Sequence, residues 1–506
     1  MPSLGDRTVP REETVRSLRD RTVDLLVIGG GIVGAGIARD AALRGLSVAL
    51  IEQHDLASGT SSRPTRLIHG GLRYLELFDF GLVRSDMRER ETLLRIAPHL
   101  VFPLAFLMPL YRRSPFYRLK LRVGMFLYDL LSLDKSLPKR RRLGRAETLA
   151  AEPNLDPDGL GGAWRFYDAQ VPFVERLVVA NALDAAAHGA LILNHARATG
   201  YLRDGRLVSG ASVHDAIAGS AIDVRARFTV NATGPWLDQT LAPLRPGLPP
   251  LLRLTKGTHL VVPRATAHAH VLFATRDRRL FFVLPWNGYT IVGTTDTDYR
   301  GDPEAVEASA EDVDYLRAEA ARAFPSASFE RIHFTWSGVR ALVREEGVAE
   351  GDVSRKHTLY DHRRDGIDGA LSVVGGKITA YRSIAEEVTD LVARRLGSAA
   401  RSRTSELPLP HAEDPAAATG DDALCPHATT TRADVQRAVQ GEWAMTLGDV
   451  LLRRTAIGLA ACQGLDRIET IAELVGGLLG WDLAQRTAEI AAYRGEIAPM
   501  RRFSTP

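Results

Sequence analysis

The sequence contains few cysteines, no long apolar run and almost no net charge. Only two of its 506 residues are cysteines, Cys425 and Cys462, and they are far apart in the chain without the C-x-x-C spacing of zinc or redox motifs. We therefore expect no disulfide framework, no metal site and a reducing, cytoplasmic location. No stretch reaches the roughly 20 apolar residues that cross a bilayer.

The balance of charges gives no overall sign of a charged partner, although local charged patches remain possible. The chain has 64 Lys and Arg against 61 Asp and Glu, a formal net charge of +3, so its overall charge does not indicate nucleic-acid binding. Residues 1–20 are polar and charged without an apolar core. We expect them to form a flexible tail without a secretory signal.

A glycine-rich turn is the most informative feature that is present. Directly after the apolar residues 25–28, Gly29, Gly31 and Gly34 have the spacing G-x-G-x-x-G, which lets a backbone approach a pyrophosphate at a helix N-terminus. Glu52 ends the next apolar strand, where a carboxylate accepts the ribose hydroxyls of an adenine dinucleotide that lacks a 2′-phosphate. An ordinary α/β turn is the alternative, but strand, helix and acid together favour a dinucleotide site.

The pattern of elements predicts the fold class α/β. We expect a Rossmann-type cofactor-binding domain, an antiparallel-sheet substrate domain and a small C-terminal helical domain, because residues 252–295 are dominated by strand-like runs and residues 435–478 have helical periodicity. The predicted division is residues 1–20 as the tail, 21–98, 163–245 and 340–399 as the cofactor-binding domain, 99–162 and 246–339 as the substrate domain, and 400–506 as a linker with the helical domain.

Several motifs together resemble one family, the FAD-dependent, aerobic respiratory glycerol-3-phosphate dehydrogenases. The resemblance covers roughly residues 24–396 in colinear order, and EWAMTLGDVLLRRT at 442–455 is similar to the C-terminal domain of the family. The glycine motif and the ATG turn are shared with a wider superfamily, whereas IHGGLRYLE and GGKIT are more specific. The motifs are TSSRPTRLIHGGLRYLE at 60–76, VNATGPW at 230–236, KGTHLVVP at 256–263, GTTDTDY at 293–299, SGVRAL at 337–342 and VGGKITAYR at 374–382.

The resemblance implies FAD as the cofactor, and two small-residue turns fit it physically. The turn at 232–234 follows a strand and leaves room for a close backbone approach, although it is also typical of a strand end. The turn at 375–379 starts a helix whose amides, with Lys377, can stabilise negative charge on a reduced flavin. The predicted FAD contacts are Gly29, Gly31, Gly34, Glu52, Thr60, Ser61, Ser62, His69, Gly70, Ala232, Thr233, Gly234, Gly376, Lys377, Ile378 and Thr379.

Arginines and a tyrosine are the candidates for binding a phosphorylated substrate. The planar guanidinium forms two bonds to phosphate oxygens and stays charged at any working pH. Arg73, Arg340 and Arg355 lie in stretches that match the family, with Tyr74 beside the first. Each arginine taken alone could equally form a structural ion pair.

The choice of catalytic base stays open between two histidines. His259 and His69 both titrate near neutrality and could accept the alcohol proton as hydride leaves, with Arg340 and Lys377 as further catalytic candidates. We favour His259. A histidine within a strand such as THLVV is, however, often an ordinary core residue.

Residues 101–142 suggest a membrane-facing segment. Apolar and cationic residues alternate there, as in basic amphipathic surfaces that contact anionic lipid, although buried helices with a solvated face give the same pattern. The resemblance favours membrane contact, because a respiratory flavoenzyme passes electrons to quinone. The cations are Arg112, Arg113, Arg118, Lys120, Arg122 and the run KRRR at 139–142.

Three functions remain distinct at this stage. The first is a dehydrogenase on the inner face of the plasma membrane that converts sn-glycerol 3-phosphate to dihydroxyacetone phosphate and reduces quinone. The second is a soluble oxidase of the same superfamily that uses oxygen and attacks glycerol 3-phosphate or an amine. The third, which we disfavour, is a flavin-binding scaffold without turnover. A homodimer is left open, and no nucleic-acid partner is expected.

Overall fold

The computed structural model describes residues 9–71, 79–111, 124, 127–128, 131, 135–344, 356–410 and 423–505. The described strands, in chain order, are β1 (Val23–Ile28), β2 (Val48–Ile51), β3 (Leu67–Ile68), β4 (Phe102–Tyr111), β5 (Arg141–Leu143), β6 (Leu160–Gln170), β7 (Leu191–Leu193), β8 (Ala196–Asp204), β9 (Leu207–Asp215), β10 (Ser220–Asn231), β11 (Leu252–Pro263), β12 (Ala269–Phe273), β13 (Leu280–Trp286), β14 (Tyr289–Gly293), β15 (Thr297–Asp298), β16 (Phe334–Val343), β17 (Thr358–Asp361), β18 (Ala370–Val374), β19 (Ala423–Cys425) and β20 (Ala428–Thr431).

The described α-helices are α1 (Arg11–Asp20), α2 (Ile32–Leu43), α3 (Phe80–Ile96), α4 (Arg145–Ala151), α5 (Val174–Ala187), α6 (Leu237–Leu241), α7 (Ala310–Ala323), α8 (Tyr381–Leu396), α9 (Arg432–Gly441), α10 (Ile468–Leu479) and α11 (Leu483–Arg501). Within the described part of the chain, no helix is long and apolar enough to span a membrane.

The chain forms two compact units. The first contains residues 1–62, 173–254 and 340–497, and the second contains residues 63–172, 255–339 and 498–506. The chain therefore first passes from one unit to the other after residue 62, whereas the sequence predicted the first domain boundary after residue 98. The predicted α/β class is confirmed.

The first unit is built on a parallel sheet in the order β18-β10-β1-β2-β7, with β17 antiparallel at its edge. Strands β8, β9 and β10 form an antiparallel meander. Every residue of β2 is buried, as are the last four of β1, because parallel strands of this kind are covered on both faces. Helix α2 packs against α5 and α8, and Gly36 permits close contact with Tyr381.

The N-terminal segment is not the flexible tail that its charge suggested. Residues 1–8 lie outside the described part, but α1 begins at Arg11, and its buried positions Thr14 and Leu18 are one helical turn apart. Leu18 packs in the same core cluster as Val23, and Arg11 forms a 2.6 Å salt bridge with Asp215. The prediction was wrong because two buried positions among charged residues leave almost no periodic signal.

The second unit contains a ten-stranded sheet in the order β15-β11-β14-β13-β12-β4-β6-β3, with β16 beside β11 and β5 beside β6. Its pairings are largely antiparallel, as predicted, but β4 and β12 run parallel, so the sheet is mixed. Helix α7 covers it, since Val313 and Leu316 pack with Leu260 and Val292 in one apolar core. The final residues also belong here, because the Thr505 amide donates to the Ile332 carbonyl at 2.9 Å.

Part of the predicted membrane-facing segment is an interior strand. The apolar residues of β4 pair with β6, and Phe106 and Leu107 are buried in the sheet. Phe106 and Leu107 therefore offer no membrane surface, whereas Phe102, at the start of β4, is 44% exposed. Of the predicted cations, Arg112, Arg113, Arg118, Lys120 and Arg122 lie outside the described residues.

The C-terminal region contains the predicted helices, and it belongs to the first unit up to residue 497. Val435 of α9, Ile471 of α10 and Leu451 in the short π-helical turn Asp449–Arg454 are fully buried. The segment predicted as a linker also packs against α2, since Arg39 Nη2 donates to the Leu407 carbonyl at 2.9 Å. Residues 411–422 lie outside the described part.

A buried group of charges, which we call the Asp55 cluster, connects this region to the parallel sheet. It consists of Asp55, His195, Asp449, Arg453 and Arg454. Arg454 donates to both carboxylate oxygens of Asp55 at 2.7 Å. Arg453 bridges the two carboxylates, because it donates to Asp55 at 2.8 Å and to Asp449 at 2.9 Å. His195 Nε2 lies 2.8 Å from Asp449. Each carboxylate thus has a cation beside it, as buried charges require.

The cluster predicts a pH-dependent stability. Burial lowers the pKa of His195, but Asp449 and Asp55 together raise it by more, so the pKa in the folded state lies above its usual value. The His195–Asp449 contribution is therefore complete below about pH 6.5 and is lost as the pH rises through the folded pKa. We expect His195→Asn to destabilise α10 at pH 6 and to have a smaller effect at pH 9, measured by amide hydrogen exchange.

The matched control is His214→Asn, which replaces an exposed histidine of β9 in the same unit. It should leave the exchange of α10 unchanged at both pH values. A His195→Asn effect of equal size at pH 6 and pH 9 would contradict the assignment.

Candidate active site

The turn between β1 and α2 is packed so tightly that side chains are excluded. Gly29 has φ +108, and a Cβ there would lie 2.7 Å from the Ala232 carbonyl oxygen. A Cβ at Gly34 would collide with the Gly29 carbonyl. The sequence motif therefore reflects two backbone contacts, which hold the start of α2 directly against the end of β1.

The N-terminus of α2 is suited to bind an anion. Its N-cap is Gly31, which supplies no side-chain cap, and its first turn contains no acidic residue. Ser61 Oγ accepts from the Ile32 amide at 2.9 Å and lies beside Gly31. The remaining amides and the positive end of the helix dipole suit a pyrophosphate.

Glu52 lies where the sequence analysis placed it, immediately after β2. Its carboxylate accepts from the Gly30 amide at 2.6 Å and from the His54 amide at 3.0 Å. Burial raises its pKa, and the two amide hydrogen bonds oppose that shift. A carboxylate oxygen has two lone pairs, so each still has capacity for a ribose hydroxyl.

A second small-residue turn borders the first. The Ala232 amide donates to the Ile28 carbonyl at 2.8 Å, and Asn231 Oδ1 accepts from both the amide and the hydroxyl of Thr233. Gly234 has φ +56. The predicted loop residues Thr60, Ser61 and Ser62 form a short 3₁₀ turn in the same unit.

The glycines before Lys377 also adopt left-handed backbone, with φ +78 at Gly375 and +113 at Gly376. Lys377 precedes the 3₁₀ turn Ile378–Ala380, which leads directly into α8. Together with the two turns above, these residues fit an extended dinucleotide. Thr379 is buried, and Ile378 is half-buried.

In the second unit, His259 of β11 packs against an aromatic side chain, which in turn contacts an arginine. It is buried, its Nε2 lies 2.9 Å from Thr65 Oγ1, and its ring stacks on Trp336 with centroids 5.3 Å apart. Gly293 is opposite His259 in β14, and a Cβ there would collide with the imidazole. The Arg66 guanidinium lies over the Trp336 ring at 5.3 Å.

A hydrogen-bonded polar group lies next to His259 along β11. Thr258 Oγ1 bonds to Ser337 Oγ at 2.8 Å and donates to Asp312 at 3.1 Å, and Lys256 pairs with Asp312 at 2.6 Å. Burial raises the pKa of Asp312, but Lys256 and its other partners lower it by more, so the carboxyl stays ionised.

The other predicted site residues are divided between the two units and the undescribed segments. His69 belongs to the second unit, where its Nδ1 accepts from the Gly71 amide at 3.2 Å, and the adjacent Gly70 is buried against Met87. Arg340 is half-buried on β16 and, like Lys377, belongs to the first unit. Arg73, Tyr74 and Arg355 lie outside the described residues.

Sequence reasoning missed the immediate neighbours of His259. Thr65 and Ser337 occur in stretches that carry the family resemblance, and Trp336 directly precedes one, but their contacts join residues that are distant in the chain. The sequence carries one signal, which is that Thr65 and Ser337 lie in motifs that carry the resemblance. Only the folded structure shows that the side chains around His259 come together.

Comparison with known proteins supports this description. A model of the FAD dependent oxidoreductases matches residues 24–382, and one for the C-terminal domain of alpha-glycerophosphate oxidase matches residues 404–486. A glycerol-3-phosphate dehydrogenase from Synechocystis sp. is 38% identical over 94% of this chain and 96% of its own length. The chain belongs to the FAD-dependent glycerol-3-phosphate dehydrogenase family.

Other family members agree over much of the molecule. An aerobic glycerol-3-phosphate dehydrogenase from Staphylococcus aureus is 37% identical over 77% of this chain and 70% of its own length. The solved glycerol-3-phosphate dehydrogenase of Bacillus halodurans, complexed with FAD, is 26% identical, has a TM-score of 0.78 and covers 99% of this chain and 98% of its own. FAD as the cofactor of this family member is thereby confirmed.

The tight glycine turn predicts a specific defect in cofactor binding. Gly34→Ala places a Cβ against the Gly29 carbonyl and pushes α2 away from β1, so we expect a tenfold or larger loss of bound cofactor, which is about 1.4 kcal/mol or more. Flavin released by denaturation is quantified by absorbance and identified by chromatography as FAD. Gly200→Ala in β8, where a Cβ has open space, is the control. Full FAD content in Gly34→Ala would contradict the role of the turn.

Proposed function

We propose that this chain oxidises sn-glycerol 3-phosphate to dihydroxyacetone phosphate and passes the electrons to a membrane quinone. The observation that supports this most strongly is the near full-length similarity to the Synechocystis relative named glycerol-3-phosphate dehydrogenase. Partial similarity would support only the cofactor domain. Here both the chain and its relative are covered almost completely.

The chemistry divides between the cofactor and the chain. When bound, FAD accepts the hydride that leaves the secondary alcohol carbon. The alcohol proton must leave at the same time, and we assign its acceptance to His259. Once protonated, the imidazole donates from Nε2, and Thr65 Oγ1 at 2.9 Å is placed to accept that bond. The stacked Trp336 ring fixes the plane of the imidazole.

We assign binding of the substrate phosphate to Arg340. Its guanidinium can bind two phosphate oxygens, and it is half-buried, so water weakens the interaction less than at a fully exposed site. Arg73 and Arg355, with Tyr74, are the further candidates from the family motifs. Lys377, at the start of the 3₁₀ turn before α8, is assigned to the stabilisation of negative charge on the reduced cofactor.

For membrane contact we propose the exposed cations Lys139 and Arg142. The other two members of KRRR have partners, since Arg140 lies over the Trp164 ring at 5.1 Å and Arg141 pairs with Glu147 at 2.6 Å. Two exposed cations can attract anionic lipid. We infer peripheral attachment at the inner face of the plasma membrane.

Oxygen is the alternative electron acceptor. The C-terminal match is to a domain of alpha-glycerophosphate oxidase, so this alternative has a specific observation behind it. The test measures quinol and hydrogen peroxide during turnover with glycerol 3-phosphate in lipid vesicles. We expect quinol at a rate far above peroxide. Stoichiometric peroxide with negligible quinol would show that the electron acceptor is oxygen and not quinone.

The phosphate assignment predicts a defect in substrate affinity. Arg340→Lys keeps the charge but loses the planar pair of donors, and a hydrogen bond to a charged group contributes about 1.5–3 kcal/mol. We therefore expect the KM for glycerol 3-phosphate to rise roughly 10- to 150-fold, with the flavin absorbance spectrum unchanged. Arg344→Lys, an exposed arginine just after β16, is the control. A normal KM in Arg340→Lys would remove Arg340 from the phosphate site.

The membrane assignment predicts a salt-sensitive change in binding. Each cation near an anionic leaflet contributes about 1 kcal/mol, so Lys139→Gln with Arg142→Gln should weaken binding to phosphatidylserine vesicles by about thirtyfold. Quinone reduction should slow, whereas reduction of a soluble dye should not. Arg203→Gln with Arg206→Gln, on the β8–β9 hairpin, is the control. Binding equal to that of the wild type would show that Lys139 and Arg142 do not form the membrane contact.

A further inference from the structure

The two cysteines, which are distant in sequence, meet in the C-terminal region. Cys425 ends β19 and is fully buried, whereas Cys462 lies just before α10 and is partly exposed. Their sulfur atoms are 3.6 Å apart. Their separation of 37 residues in the chain gave no sign of this contact, because sequence distance does not show how the hairpin folds back.

Two further donors converge on the same place. His427 lies in the turn between β19 and β20, and Asp466 lies in the 3₁₀ turn that precedes α10. The ligand atoms of His427, Cys462 and Asp466 all lie within 4.8 Å of one another, and His427 Nε2 is 3.6 Å from the Asp466 carboxylate. Thiol, imidazole and carboxylate together are a donor set that zinc prefers.

We propose that Cys462, His427 and Asp466 bind a thiophilic divalent cation of the zinc class. Cys425 is not one of the donors that converge within 4.8 Å, although its sulfur lies 3.6 Å from that of Cys462. A disulfide requires about 2.05 Å, so it would need the two thiols to move together and an oxidant to remove two electrons.

The surroundings of the donors also favour a cation. In the part of the chain that the structure describes, Asp466 pairs with His427 and with no Lys or Arg. The Asp55 cluster is the instructive contrast, since Asp55, His195 and Asp449 also lie close enough to hold a metal. There Arg453 and Arg454 already occupy the carboxylates, so a second cation would be repelled.

The site would act as a structural cross-link. It joins the β19–β20 hairpin to the start of α10, two segments that flank α9 and the turn Asp449–Arg454. His427 and Asp466 are about half exposed, at 49% and 44%, so a metal ion can enter from solvent. The inference uses no residue assigned to FAD or to the substrate, and it can therefore fail independently of the proposed function.

The test is zinc content of the full-length, FAD-loaded protein, purified under reducing conditions and dialysed against a weak chelator. We expect about one zinc per chain and sulfur scattering at about 2.3 Å in X-ray absorption. Cys462→Ser should reduce zinc to background. His427→Asn, which changes a half-exposed side chain and preserves folding, should weaken zinc binding at least tenfold in chelator competition.

The control is His188→Asn, because His188 also faces a carboxylate, Asp184 at 3.5 Å, but has no thiol in its group. It should retain full zinc content. Zinc that is unchanged in both Cys462→Ser and His427→Asn, no zinc in the reduced wild-type protein, or a Cys425–Cys462 disulfide that persists under reducing purification would each overturn the proposal.

Discussion

The contact between the Gly29 carbonyl and the Cα of Gly34 is the constraint on which the cofactor domain depends. It holds the N-terminus of α2 at the end of β1, where the helix dipole and the backbone amides can meet a pyrophosphate. The same approach brings Gly29 against Ala232, so the second small-residue turn borders the first. Glu52 then completes the site through its bond to the Gly30 amide.

A different kind of constraint holds the C-terminal helices. The Asp55 cluster buries two carboxylates and two guanidinium groups, and burying any one of them alone would cost several kcal/mol. Asp55 follows Glu52 by three residues, so the segment that carries the predicted ribose-binding carboxylate also anchors the C-terminal region. This arrangement explains why residues 340–497 pack with the first unit, while residues 404–486 match the model of a C-terminal domain.

Local patterns predicted the parts of the structure that depend on neighbours in sequence. The glycine turn, Glu52 and the presence of a helix after the turn at 375–379 follow from spacing and periodicity. Contacts between distant residues could not be predicted in this way. The stacking of His259 on Trp336, the arginine pair on Asp55 and the meeting of Cys425 with Cys462 each depend on how strands and helices pair. The N-terminal helix was missed because Leu18 and Thr14 are its only buried residues.

The central claim is that this family member oxidises glycerol 3-phosphate through its bound FAD. The most direct measurement is anaerobic mixing of the purified, FAD-loaded protein with sn-glycerol 3-phosphate, followed at the flavin absorbance band. The account predicts rapid bleaching with one dihydroxyacetone phosphate formed per flavin, and little bleaching by the opposite enantiomer or by glycine. A flavin that stays oxidised with glycerol 3-phosphate but is bleached by dithionite would contradict it.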